Sequence, residues 1–180
     1  SRIHPEILEH NRITVIEGSF QNPKKLEEAV KNTEVVFLSA METGNDMAAI
    51  VKALSRQNIR RIIGLSIAGL SGEFPKELEK WTFDNLPISY VQGERQARNV
   101  LRESNLNYTI LRLPWLYNDM ENTNYELIAE GAPFNDAQVT REAVVKSVYD
   151  ILHVEDETPF NRASIRVGEP STHYNKPSFL

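Results

Sequence analysis

Four short groups of residues stand where predicted β-strands end, and small side chains occur at three of the four. They are Gly18-Ser19-Phe20, Ala40-Met41-Glu42, Ser66-Ile67-Ala68 and Leu113-Pro114-Trp115. In an open parallel sheet, ligands bind in the crevice beyond the carboxyl ends of the strands. Small residues there would let a flat ligand approach the backbone. The competing interpretation is that these residues only fit tight strand-to-helix turns, but the agreement of all four ends favours a binding crevice.

Other kinds of chemistry find little support in the residue types. The sequence has no cysteine, which removes disulfides, thiolate nucleophiles and cysteine-based zinc sites. Its histidines are scattered without the spacing of metal ligands, so we expect no metal: His4, His10, His153 and His173.

Five short apolar or β-branched runs predict the strands that lead to this crevice. They cover residues 12–17, 35–40, 61–67, 108–113 and 163–167. Helices are predicted after the Asn22-Pro23 pair, after Asp46 as a cap, over residues 90–104, and after Thr140 as a cap. Strands that alternate with helices predict an α/β fold with a doubly wound parallel sheet. We predict one domain over residues 1–180, in which the irregular segment 118–136 is a lid or substrate-side element.

The composition is that of an ordinary globular domain, with 41% hydrophobic and 25% charged residues. A formal net charge of −5 disfavours a nucleic-acid partner. No apolar run reaches the ~20 residues of a membrane span, so we expect a cytoplasmic protein that does not enter membranes. The expected oligomeric state is a monomer or a homodimer.

The segment LRESNLNYTILR at residues 101–112 resembles the atypical short-chain dehydrogenases of the NmrA-like group, which are small bacterial NAD(P)H-binding proteins. Weaker similarities are the strand that ends in Glu17-Gly18-Ser19 and the segment TEVVF at 33–37. The resemblance implies a Rossmann-like sheet, NAD or NADP as cofactor, and an oxidoreductase that acts on a small carbonyl or quinone. A non-catalytic dinucleotide sensor or regulatory interaction protein is the alternative, and a plain scaffold domain is a third.

The resemblance also implies a first βαβ unit with a glycine-rich phosphate-binding loop, and the sequence contains no such unit. Because that loop holds the pyrophosphate, we expect this form of the chain to bind dinucleotide poorly. We also expect residues 12–17 and 35–40 to be separated strands, with a gap or foreign strands between them.

The resemblance places Tyr90 at the family's catalytic tyrosine, but Glu94 stands where the family has lysine. A carboxylate there would not activate a tyrosine. We expect Glu94 and Arg98, four residues apart, to lie on a solvated helix face. Ser66 corresponds to the hydroxyl beside the substrate carbonyl, or it only satisfies a strand end. Arg112, inside an apolar strand, is expected to form a structural ion pair.

Overall fold

The computed structural model describes residues 9–41 and 43–180. Helices are α1 (Pro23–Val30), α2 (Gly44–Arg56), α3 (Lys76–Asp84), α4 (Ile88–Glu103) and α5 (Arg141–Leu152). Strands are β1 (Val35–Leu38), β2 (Arg61–Ile67), β3 (Asn107–Leu113), β4 (Trp115–Tyr117), β5 (Glu126–Ala129), β6 (Gln138–Thr140) and β7 (Ala163–Gly168).

The main sheet has five strands in the order β1-β2-β3-β7-β5. The first four are parallel, and β5 runs antiparallel to β7 at the edge. A second small sheet joins β4 and β6 in parallel. The predicted doubly wound parallel α/β fold is therefore confirmed.

Helices cover both faces of the main sheet, as the apolar strand sequences predict. On one face α1, α2 and α4 bury a core that includes Met47, Leu54, Leu101 and Ile110. On the other face α5 packs against alternate residues of the same strands, such as Ile63, Leu111, Ile165 and Val167. Even-numbered residues of β3 thus face α4 and odd-numbered ones face α5, because side chains alternate along a strand.

The prediction of a strand at residues 12–17 is wrong. These residues form no strand in the structure, and Ile13, Val15 and Ile16 are each more than two-fifths exposed. β-Branched residues favour a strand only where a neighbouring strand can pair with it. Among residues 9–41 and 43–180, nothing pairs with 12–17, and β1 pairs with β2 alone.

The start of α2 and two connections also differ from prediction. Thr43, not Asp46, is the cap of α2, and its hydroxyl accepts the Asp46 N–H. The Gly- and Pro-containing connection after β2 contains the helix α3, and segment 118–136 contains β5. The caps Asn22 and Thr140 are confirmed, since their side chains accept the N–H groups of Lys25 and Ala143. No helix in the described part of the chain is long and apolar enough to cross a membrane.

Candidate active site

A cavity of about 190 Å³ opens at the carboxyl ends of β2 and β3. Its wall contains most of the residues that the sequence singled out: Ala40, Ser66, Ile67, Ala68, Tyr90, Leu113, Pro114 and Trp115. The Ala68 N–H donates to the Leu113 carbonyl at 2.8 Å, so the two chain segments stay adjacent beyond the end of the paired strands. Three of the four predicted strand ends therefore contribute to one cavity.

At the polar end of the cavity, the side chains of Ser66 and Glu94 are joined by a hydrogen bond. The Ser66 hydroxyl donates to a carboxylate oxygen of Glu94 at 2.8 Å. Ser66 is 4% exposed and Glu94 is 1% exposed. The expectation of a solvated helix face is wrong, because α4 packs this side against the sheet and buries Glu94, Ala97, Arg98 and Leu101 together.

Tyr90 lies one helical turn before Glu94 and lines the same cavity, with 39% of its surface exposed. Residues four apart on a helix share a face, which explains why the two side chains reach one cavity. The structure thus brings together Tyr90, Ser66 and Glu94.

Aromatic side chains form another part of the cavity wall. The Trp115 indole N–H donates to the Thr82 hydroxyl at 3.1 Å, which fixes the plane of the ring. Trp81 packs edge-on against Trp115 with ring centroids 4.8 Å apart. Phe74 and Leu86 extend the apolar surface. Trp115 belongs to the pocket wall, whereas Tyr108 is buried in the core.

Glu94 is the charged residue among the described residues of this wall, and the remainder are apolar or neutral. The wall thus offers no cation from the described chain to a phosphate or a carboxylate. Small side chains at Ala40, Ser66 and Ala68 leave the backbone approachable by a flat ring. This end of the crevice therefore suits a flat, uncharged group.

Four predicted binding residues lie elsewhere, and Glu42 is outside the described residues. Gly18, Ser19 and Phe20 precede α1, and Phe20 lines a groove between α1 and α2. Met41 is 1% exposed and belongs to the core of the α2–α4 face.

The first turn of α2, next to this segment, already holds a carboxylate. Asp46 accepts hydrogen bonds from Gln21 Nε2 at 2.8 Å and from the Thr43 hydroxyl at 2.7 Å. These bonds, that of Gln21 foremost, hold the pKa of Asp46 below its usual value. A helix N-terminus attracts anions, but here Asp46 supplies the negative charge, so this helix end is poorly suited to a cofactor phosphate.

The predicted ion pair of Arg112 is confirmed. Arg112 Nη1 lies 2.6 Å from Glu73 Oε1, and the two side chains are 1% and 8% exposed. Burial opposes ionisation of Glu73, but the Arg112 charge and backbone N–H groups outweigh it and lower the Glu73 pKa. Burial and then the charge of Arg112 lower the pKa of Arg98 and of Arg166. The negative charge of Glu73 acts in the opposite direction and raises both pKa values.

Sequence reasoning missed Glu94, Thr82 and Phe74 as parts of the site. For Glu94 the available signal was its position, four residues after Tyr90 on a helix whose face also carries Ala97 and Leu101. Nothing local marks Thr82 or Phe74, because they reach the cavity through the fold of the β2–α4 connection. Within residues 9–41 and 43–180 no cluster of three or more potential metal ligands was found.

Comparison with known proteins agrees with this architecture. A family model described as NAD(P)H-binding matches residues 2–155. Two crystal structures of a short-chain dehydrogenase/reductase from Veillonella parvula DSM 2008 are 78% and 79% identical to the chain, with TM-scores of 0.98 and 0.97. The matches cover 100% and 99% of this chain and 83% and 82% of theirs, and the second structure is a complex with NADP.

A Rossmann-fold NAD(P)-binding protein from Shigella flexneri shares the fold at 23% identity and a TM-score of 0.68, over 93% of this chain and 76% of its own. The comparison with curated proteins gave no match. Fold and crevice define a nucleotide-binding α/β protein of Rossmann type. The chain belongs to the NAD(P)H-binding family and is similar to short-chain dehydrogenases/reductases, which confirms the resemblance seen at residues 101–112.

Proposed function

We propose that this protein is an NADP(H)-dependent oxidoreductase that reduces a small, uncharged carbonyl compound or quinone. The observation that carries the proposal is the convergence of three strand ends on one cavity that also holds the buried Ser66–Glu94 hydrogen bond. Ligand sites of open α/β sheets lie at this edge, and a proton-carrying pair at the end of an apolar pocket suits carbonyl reduction.

The choice of NADP rests on the Veillonella parvula relative, which is 79% identical and was crystallised with NADP. The residues that line the cavity would contact only the nicotinamide end of the cofactor, so the preference at the ribose end is inferred from that relative. We expect tighter binding of NADPH than of NADH.

The substrate class follows from the size and charge of the cavity. A cavity of about 190 Å³ is below the several hundred Å³ of a typical drug-sized ligand site. Its described wall carries no cation that could pair with an anionic substrate, so moving an anion from water into it would be unfavourable. Apolar and aromatic side chains would contact a planar, uncharged ring.

A second candidate is a non-catalytic sensor of dinucleotides, and one observation favours it. Glu94 occupies the position where the family's lysine would activate Tyr90, so the usual tyrosine–lysine pair is absent. A sensor would bind the cofactor without oxidising it.

Two experiments on the protein separate these candidates. Thermal unfolding with NADPH or NADH tests binding, because a ligand at 100 times its Kd stabilises by about 2.7 kcal/mol. NADPH oxidation is then followed with quinones and with the matched pair benzaldehyde and 4-carboxybenzaldehyde. We expect turnover with at least a ten-fold higher kcat/KM for the uncharged aldehyde. Binding without turnover on any substrate would favour the sensor, and the absence of binding would refute both candidates.

A further inference from the structure

We propose that Ser66 and Glu94 form a proton relay that replaces the tyrosine–lysine pair, with Ser66 as the catalytic residue and Glu94 as its positioning residue. This inference rests on the proposed function and specifies its proton source. It begins from the 2.8 Å hydrogen bond between two buried side chains that both line the cavity.

The position of Ser66 makes it the group that can reach a substrate. It is the next-to-last residue of β2, and its side chain faces α4, where it bonds to Glu94. Ile67 and Ala68 after it continue along the cavity wall. A serine hydroxyl has one hydrogen and two lone pairs. Hence it can accept a proton from Glu94 while it donates its own to a substrate oxygen, or carry out the reverse.

Glu94 is placed to serve Ser66 and to be shielded from bulk water. It is 1% exposed, it lies on the α4 face that packs against the sheet, and the helix holds it one turn from Tyr90. A buried carboxyl group needs a hydrogen-bond partner, and the Ser66 hydroxyl is one. A purely structural bond would meet that need as well, so the experiment must separate the two roles.

In the direction of reduction, one hydride and one proton are added to the substrate. The reduced nicotinamide cofactor, when bound, supplies a hydride to the carbonyl carbon of the substrate. The Ser66 hydroxyl gives its proton to the carbonyl oxygen, and the Ser66 oxygen takes the proton of the Glu94 carboxyl group. The products are the alcohol, the oxidised cofactor and the Glu94 carboxylate, which accepts the hydrogen bond of the Ser66 hydroxyl as in the structure. One solvent proton, relayed through Ser66 from the open cavity, then reprotonates Glu94, so each reduction consumes one proton. In alcohol oxidation each proton moves in the opposite direction.

The relay predicts a specific pattern of kinetic changes. Glu94→Gln keeps the size of the side chain but cannot pass a proton, and Ser66→Ala removes the hydroxyl. Each should lower kcat by about 10²-fold or more, while the KM for NADPH stays within two-fold of wild type. Because two residues of one relay act as a unit, the double variant should be no slower than the slower single variant. Glu103→Gln, an exposed glutamate on the same helix, is the matched control and should leave kcat unchanged.

A measurement without turnover tests the same bond. The infrared carboxyl stretch of Glu94, assigned by its loss in Glu94→Gln, should shift in Ser66→Ala, because the hydroxyl partner is gone. If Glu94→Gln does not fold, Ser66→Ala carries the kinetic test, with a loss of about 10²-fold in kcat expected.

Three results would overturn the relay. The first is a kcat within three-fold of the wild-type value in both single variants. The second is a double variant in which the two losses of kcat multiply. The third is a Glu94 carboxyl stretch that does not change in Ser66→Ala. If no carbonyl compound or quinone supports NADPH oxidation by wild type, the proposed function itself fails, and the catalytic role of the pair fails with it. If wild type turns over but Glu94→Gln does so equally well, the relay alone is refuted.

Discussion

Removal of the negative charge at Glu73 should destabilise the protein strongly. In Glu73→Gln the side chain keeps its size and can still hydrogen-bond, but the Arg112 guanidinium, which is 1% exposed, loses its 2.6 Å ion pair. Arg98 and Arg166 also lose the opposing charge that offsets their repulsion by Arg112. The perturbation therefore leaves buried positive charge without compensation.

The expected magnitude follows from the burial of the pair. Breaking a buried ion pair by removal of one partner reduces stability by about 3–5 kcal/mol. That is a large share of the roughly 5–15 kcal/mol that stabilises a typical domain. For a chain of this length it corresponds to a fall in Tm on the order of 10 °C.

Urea unfolding followed by circular dichroism measures the loss, with Asp84→Asn as control. Lys80 and Asp84 also form an ion pair, but their side chains are 78% and 60% exposed. Loss of an exposed pair should reduce stability by less than about 1 kcal/mol. The contrast between the two variants isolates the effect of burial from the effect of charge.

The pH dependence supplies an independent check of sign. The folded-state pKa of Glu73 lies below its ordinary value of 4.5, so its stabilising contribution is present above that pH and disappears as pH falls through the folded pKa. The gap between wild type and Glu73→Gln should be full at pH 7 and should shrink in acid. A loss below about 1 kcal/mol at pH 7, or a gap that widens in acid, would refute this reasoning.

Three smaller predictions concern Tyr90, Asp136 and Thr140. Tyr90→Phe should reduce reductase activity less than ten-fold, since Glu94 replaces the activating lysine; a loss of several orders of magnitude in kcat would show a catalytic tyrosine. Burial, followed by a hydrogen bond with Glu126, raises the pKa of Asp136 from 3.8 to about 7. The folded state therefore loses stability as pH rises from about 4 to 7, and Asp136→Asn should remove this part of the pH dependence in urea unfolding at pH 5 and pH 8. Thr140→Ala removes the 2.9 Å cap to Ala143 N and should lower the free energy of unfolding by about 1–2 kcal/mol, against no change for the exposed Glu103→Gln.

The strands β2, β3 and β7 of the main sheet could be predicted because each is a nearly continuous apolar run that is largely buried. β2 has the predicted bounds, and β3 and β7 differ by one residue at an end. β4, β5 and β6 span three or four residues each, which is too short for a periodic signal. Residues 12–17 show the opposite error, since a β-branched run has strand propensity whether or not a partner strand lies beside it.

The site could be predicted in position but not in chemistry. The strand-end rule singled out Ser66, Ala68 and Trp115, which line one cavity, and their role in binding stays a prediction. The Ser66–Glu94 bond joins residues 28 positions apart, and it depends on which face of α4 packs on the sheet. Charged residues at Glu94 and Arg98 favour an exposed face by composition, and only tertiary packing reverses that expectation.

The most direct test of the central claim uses the two tryptophans of the chain. Trp115 lines the cavity and Trp81 contacts it, so Trp81→Phe leaves one fluorophore in the cavity wall. Oxidised NADP does not absorb where tryptophan emits and quenches it only at contact. Titration of the Trp81→Phe protein with NADP should give saturable quenching, with the same Kd as calorimetry. NADP that binds by calorimetry without quenching Trp115 would place the nicotinamide elsewhere and contradict the account.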